Sequence, residues 1–127
     1  MAEDRRHAAI MFTDIVGYTA LMGSDEDRAF EVLHKNREIH SKLIEEFNGT
    51  LIKEMGDGML ISFNQASEAV GCAIDIQQKA TEELQGKIRI GIHLGDITFE
   101  GEDVFGDGVN IAARIQSIAD PGGIYIS

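Results

Sequence analysis

Two aspartates stand where an apolar chain has no ordinary use for them. Asp14 interrupts a short buried-strand pattern, Ile10-Met11-Phe12 before it and Ile15-Val16 after it, and the run breaks at Gly17. A carboxylate in a core strand is costly unless something pairs with it. Either it accepts bonds from local backbone N–H groups, or it sits at the strand end and faces a cation. Asp57, in Met55-Gly56-Asp57-Gly58, has a similar context. Two carboxylates, each beside glycine at a strand end, are the donors that a pair of hard divalent ions needs. Further on, Asn110 and Arg114 are four residues apart and project from one face of a helix. Gly106 and Gly108 precede that helix, so its N-terminus can lie near phosphates. Each residue also has a plainer reading. Asn110 can cap the helix and Arg114 can pair with a surface acid. Lys53 can be an exposed strand lysine, and Asp103 can be solvated within the acidic stretch 100–107. His93 reads as a satisfied core histidine.

The elements that must position these groups follow from periodicity and turn chemistry. Residues 1–6 read as a polar tail or linker remnant, and 7–127 as one domain. The first strand covers 7–15. Ser24 is the expected N-cap of a helix over 26–47, with acids in its first turn. Phe30, Leu33, Leu43, Ile44 and Phe47 form its apolar stripe, broken by Arg37 and His40, and Asn48-Gly49 ends it. Strands over 50–54 and 59–63 flank a hairpin turn at 55–58. A second helix over 65–84 carries Ala66, Ala69, Val70, Ala73, Ile74 and Ala80 on one face, with Cys72 beside it as a small core filler. Residues 88–94 alternate as a half-buried strand that continues through 97–99. A loop over 100–108, a third helix over 109–118, a turn at 120–123 and a strand at 124–126 follow. The order gives an α+β fold, a ferredoxin-like βαββαβ sandwich with an additional helix and strand. Helices on one face of an antiparallel sheet leave the other face open, so a partner subunit is expected to cover it.

Bulk composition narrows the function. The 127 residues suffice for one domain, and 43% hydrophobic content supports a packed core. A net charge of −11 argues against nucleic acid or an anionic membrane surface as partner, while a metal-neutralised nucleotide stays admissible. The single cysteine excludes an internal disulfide and fits a cytoplasmic setting. No membrane-spanning run and no signal sequence are visible. His7, His34 and His40 lack zinc-site spacing.

The motifs Phe12-Thr13-Asp14-Ile15-Val16-Gly17-Tyr18-Thr19, Ile52-Lys53-Glu54-Met55-Gly56-Asp57-Gly58, Arg89-Ile90-Gly91-Ile92-His93-Leu94-Gly95 and 103–114 from Asp103 through Asn110 to Arg114 together closely resemble the catalytic domain of class III nucleotidyl cyclases. The resemblance runs from about His7 to the end. It implies the nucleotide cyclase fold and an adenylate cyclase that forms cyclic AMP and pyrophosphate from ATP. It further implies that Asp14, Asp57 and the Ile15 carbonyl bind two Mg2+ or Mn2+ ions. Lys53 and Asp103 match the purine-reading pair, Asn110 the residue that orients the ribose, and Arg114 the one that stabilises the reacting phosphate. A head-to-tail homodimer with active sites at the subunit interface is implied, as is an upstream sensor or regulatory domain. The chemistry of the base agrees: Asp103 can accept from adenine N6 and Lys53 can donate to N1, whereas guanine has the opposite polarity. Family domains continue past Tyr125-Ile126-Ser127, so a missing C-terminal part and weak or absent turnover are expected. A guanylate cyclase and a non-catalytic nucleotide-binding or dimerisation module are the alternatives. No Gly-Gly-acid-acid-Phe turn of a diguanylate cyclase and no Gly-x-x-x-x-Gly-Lys loop is present.

Overall fold

Side chains along a strand point alternately to opposite sides of the sheet, and in β1 (Asp4–Ile15) both sides are covered from Ala8 onward, while the first four residues are exposed. Ala9, Met11 and Ile15 face one core, Ala8 and Ile10 another. The computed structural model describes residues 4–84, 86–101 and 103–127. The strand starts at Asp4, so Asp4–Arg6 belong to the sheet, paired with Phe99–Ile97, instead of forming a loose tail.

The chain continues through α1 (Tyr18–Ser24), α2 (Glu26–Glu46), β2 (Thr50–Met55), β3 (Gly58–Phe63), α3 (Ala66–Glu83), β4 (Ile88–Glu100), β5 (Asp103–Phe105), α4 (Asp107–Ile118) and β6 (Ile124–Ile126). The sheet order is β2-β3-β1-β4-β5, with β6 also on β4. The first four of these strands pair antiparallel, as a βαββαβ core requires. The sheet as a whole is mixed, because β6 joins β4 in parallel.

Two short elements escape the periodicity argument. Helix α1 begins directly after Gly17, which takes a positive φ of 76°, and β5 replaces part of the expected loop. The cap of α2 is Asp25, not Ser24; its carboxylate accepts from the Arg28 amide at 3.2 Å. The buried face of α2 is Ala29, Val32, Leu33, Asn36, Ile39, His40, Leu43 and Ile44. His40 therefore lies within the stripe instead of breaking it, whereas Phe30 is exposed. On α3, Cys72 is buried as a core filler and Ile74 is exposed. Burial pushes the Cys72 thiol up to about 12, far from thiolate chemistry.

Helices α2 and α3 pack on one sheet face around Met11, Met59, Ile61, Phe63, Ile88, Ile90 and Ile92. The opposite face is not bare, contrary to the expectation from element order. Helix α4 covers part of it through Ala112 and Val109, over Ala8, Ile10, Leu60, Ile97, Phe99 and Val104. Gly91 makes that seat possible: a Cβ there would run into the backbone of Gln116 and Ala112.

Candidate active site

Asp14 lies near the end of β1, on the sheet face that carries α4. Asp57 lies in the β2–β3 turn, whose central residues are Gly56, at φ 61°, and Asp57 itself. A Gly-X loop of this kind suits a two-residue hairpin, so the turn is centred one residue before the Asp-Gly pair. The hairpin presses against β1: a Cβ at Gly58 would stand 3.0 Å from the Thr13 carbonyl oxygen and 3.8 Å from Asp14 Cβ. From there Asp57 Oδ2 accepts a hydrogen bond from the Ile15 amide at 3.1 Å. The two aspartates, 43 positions apart in the sequence, thus converge on one strand end.

Their electrostatics suit a cation. Burial holds the Asp14 carboxyl above its ordinary value; the Gln116 amide and the Arg89 charge pull it down, and the Asp57 charge pushes it up. Asp14 Oδ1 is buried without a hydrogen-bond partner among the described residues. Such an atom beside a second carboxylate is a place where a divalent ion would relieve both desolvation and repulsion. Among the described residues no group of three or more His, Cys, Asp or Glu side chains gathers into a metal site. Two carboxylates fit Mg2+ that keeps water and substrate phosphates as its remaining ligands.

Lys53 and Asp103 start from opposite edges of the sheet, with β3, β1 and β4 between their strands, yet they meet. Lys53 Nζ lies 3.1 Å from Asp103 Oδ1 and 3.4 Å from Oδ2. Two local features bring them together. The β4–β5 hairpin curls over the α4 face until β5 touches β2. A bulge in β2 between Leu51 and Lys53 sets Lys53 opposite Leu60, which faces that same side. Strict alternation would have sent Lys53 to the other face with Leu51; a bulge re-aims the side chain. The Val104 amide, donating at 2.8 Å, and Lys53 hold the Asp103 carboxyl below its ordinary value. Both side chains are still 43% exposed, so the pair can be reached from outside.

Asn110 and Arg114 are exposed on α4. The helix begins at Asp107 with Gly106 as its N-cap residue, so Asn110 is not the cap. Neither side chain takes part in a hydrogen bond or ion pair among the described residues. His93 is half-buried and shares a 2.7 Å hydrogen bond with Ser127. Sequence reading missed Gln116, a buried α4 residue whose amide lowers the Asp14 carboxyl against the effect of burial. Its signal was available as a polar residue on the inner face of an amphipathic helix. It also missed His40, which is buried under the same strand end. His40 Nδ1 donates to the Asn36 carbonyl and Nε2 accepts from the Thr13 hydroxyl, both at 2.9 Å.

Comparisons with known proteins bear on the family and the fold. The protein named "Putative adenylate cyclase 3" of Rhizobium meliloti (strain 1021) is 43% identical over 97% of this chain and 22% of its own length. An adenylate cyclase of Streptomyces coelicolor is 31% identical over 95% of this chain and 32% of its own length. The chain thus spans a third or less of these curated relatives. The crystal structure of an adenylate/guanylate cyclase/hydrolase from Silicibacter pomeroyi superimposes with a TM-score of 0.90 at 38% identity, covering 99% of this chain and 78% of that one. The guanylyl cyclase Cya2 follows with a TM-score of 0.85 at 28% identity, covering 100% and 77%. Residues 1–127 match the family described as the adenylate and guanylate cyclase catalytic domain, and the chain belongs to it.

Proposed function

We propose that this domain is an adenylate cyclase, converting ATP to 3′,5′-cyclic AMP and pyrophosphate as a homodimer with its sites at the subunit interface. The observation that carries the choice of base is the Lys53–Asp103 pair, a donor and an acceptor side by side. Asp103 accepts from adenine N6, and Lys53 donates to N1. Asn110 orients the ribose. The 3′ hydroxyl gives up its proton to water, its oxygen attacks the α-phosphorus in line, a new O–P bond forms, and the bond to the bridging oxygen breaks as pyrophosphate leaves with its electron pair. Arg114 holds the charge that builds on the phosphoryl oxygens, an interaction of a kind worth about 3 kcal/mol in the transition state. Asp14, Asp57 and the Ile15 carbonyl would hold two Mg2+ or Mn2+ ions, which supply charge neutralisation and a more acidic 3′ hydroxyl. The length of the relatives beyond the matched part is consistent with regulatory sequence attached to such a domain. Among the described residues no helix is long and apolar enough to cross a membrane.

The test is product formation from ATP and from GTP with Mg2+ or Mn2+. Cyclic AMP in clear excess supports the reading. Cyclic GMP in excess, with Lys53→Glu barely affecting ATP use, points instead to a guanylate cyclase, the activity named for Cya2. Saturable binding of a non-cyclisable ATP analogue with no product from either nucleotide points to a binding module.

A further inference from the structure

Two buried polar atoms lie on the same side of the sheet, at its boundary with α4, without a hydrogen-bond partner among the described residues. Asp14 Oδ1 can only accept and Gln116 Nε2 can only donate, and both lack partners among the described residues. Gln116 is 8% exposed. Its backbone rests on Gly91, which pairs with Phe12 two residues before Asp14, so the helix that carries this amide is seated directly on the sheet. Arg89, opposite Asp14 in β4, is the other polar group turned to the carboxylate.

We propose that Gln116 is a positioning residue for Asp14: its amide fixes the carboxylate from the α4 side and so presents it to a divalent cation. A neutral donor suits this task. It orients the carboxylate without cancelling the charge that attracts the ion, as a lysine would. It also joins the metal carboxylate to the helix that carries Asn110 and Arg114. The proposal rests on the reading of Asp14 as a cation ligand, and groups that orient a metal ligand typically change affinity by about 10- to 100-fold when removed.

The experiment measures Mn2+ binding to the full chain by electron paramagnetic resonance, with and without a non-cyclisable ATP analogue, alongside thermal melting. Gln116→Leu is expected to weaken Mn2+ binding about 10-fold while the metal-free melting temperature stays near that of the parent. Gln116→Glu adds a third carboxylate to Asp14 and Asp57, so Mn2+ should raise its melting temperature more than it raises the parent's. Should Gln116→Leu fail to fold, that second variant decides. Unchanged Mn2+ affinity in Gln116→Leu, or an equal thermal gain in Gln116→Glu, overturns the proposal. Asp14→Asn separates the two levels. If it loses Mn2+ binding while Gln116→Leu keeps it, only the role of Gln116 falls; if it binds Mn2+ like the parent, the cation reading falls too.

Discussion

At Asp57 one carboxylate has two duties that substitution can separate. It accepts from the Ile15 amide, and under the proposed function it also binds metal. Asp57→Asn keeps an acceptor oxygen, so its unfolding free energy should stay within about 1 kcal/mol of the parent. Its cyclase rate should drop about 100-fold or more, because a neutral amide is a poor ligand for Mg2+. Asp57→Ala leaves the amide without its partner and should cost a further 1–3 kcal/mol, roughly, in urea titration. Equal stability of the two variants would show that the hydrogen bond contributes nothing. His40 supplies a pH effect of defined sign. Burial depresses its pKa to about 4 from 6.5, against smaller opposing contributions from the Asn36 carbonyl and Glu54. The folded state therefore keeps the imidazole neutral where the unfolded chain binds a proton. The stability it protects is present above about pH 6.5 and is lost as pH falls towards 4, by about 3 kcal/mol over that window. Asp14 works in the opposite sense. Its raised pKa means that ionisation is disfavoured in the fold, so acid relieves it. Denaturant titrations from pH 7 to pH 4.5, read beside the His40 ring resonances, would check the balance; a ring that titrates near 6.5 would overturn it.

Among the elements, α4 depends on a single missing side chain. Gly91→Ala puts a Cβ against the backbone of Gln116 and Ala112, and backbone cannot step aside as a flexible side chain can. A loss of about 2 kcal/mol or more is expected, together with weaker nucleotide binding under the proposed function, in which Asn110 and Arg114 contact the nucleotide and move with the helix. Calorimetry beside analogue titration would detect both. Helix α2 gives a milder case: Asp25→Ala removes the cap on the Arg28 amide and should cost about 1 kcal/mol, with no change in the relative use of ATP and GTP. The long elements were legible because their apolar spacing extends over many residues, as in Leu33, Leu43 and Ile44 of α2 or Ile88, Ile90 and Ile92 of β4. The short ones were not. A seven-residue α1 and a three-residue β5 are too brief for a period to declare itself, and both are fixed by their neighbours.

The whole molecule shows how the second sheet face is used. Helix α4 and the β4–β5 hairpin cover part of it, while Lys53, Asp103, Asn110 and Arg114 stay exposed. Under the proposed head-to-tail homodimer, that exposed set of one protomer meets the Asp14–Asp57 end of its partner. This predicts complementation. Asp57→Asn and Arg114→Ala should each be nearly inactive alone, yet a co-folded equal mixture should recover roughly a quarter of parental activity, since half of randomly assembled dimers pair the two variants and each of those keeps one intact site of two. No recovery in the mixture would mean that each chain builds its site alone.

The βαββαβ core can be read from the residues alone, because hydrophobic period, caps and turn residues are local properties. So can the set of polar residues available for chemistry. Which of them meet depends on how the elements pack. Alternation points Lys53 away from Asp103, and only the bulge opposite Leu60 and the curl of the β4–β5 hairpin bring them to 3.1 Å. Gln116 comes to lie over the Asp14 side of the sheet only because Gly91 lets α4 settle there. Contacts of this kind depend on where whole elements come to rest, and no short stretch of sequence encodes that.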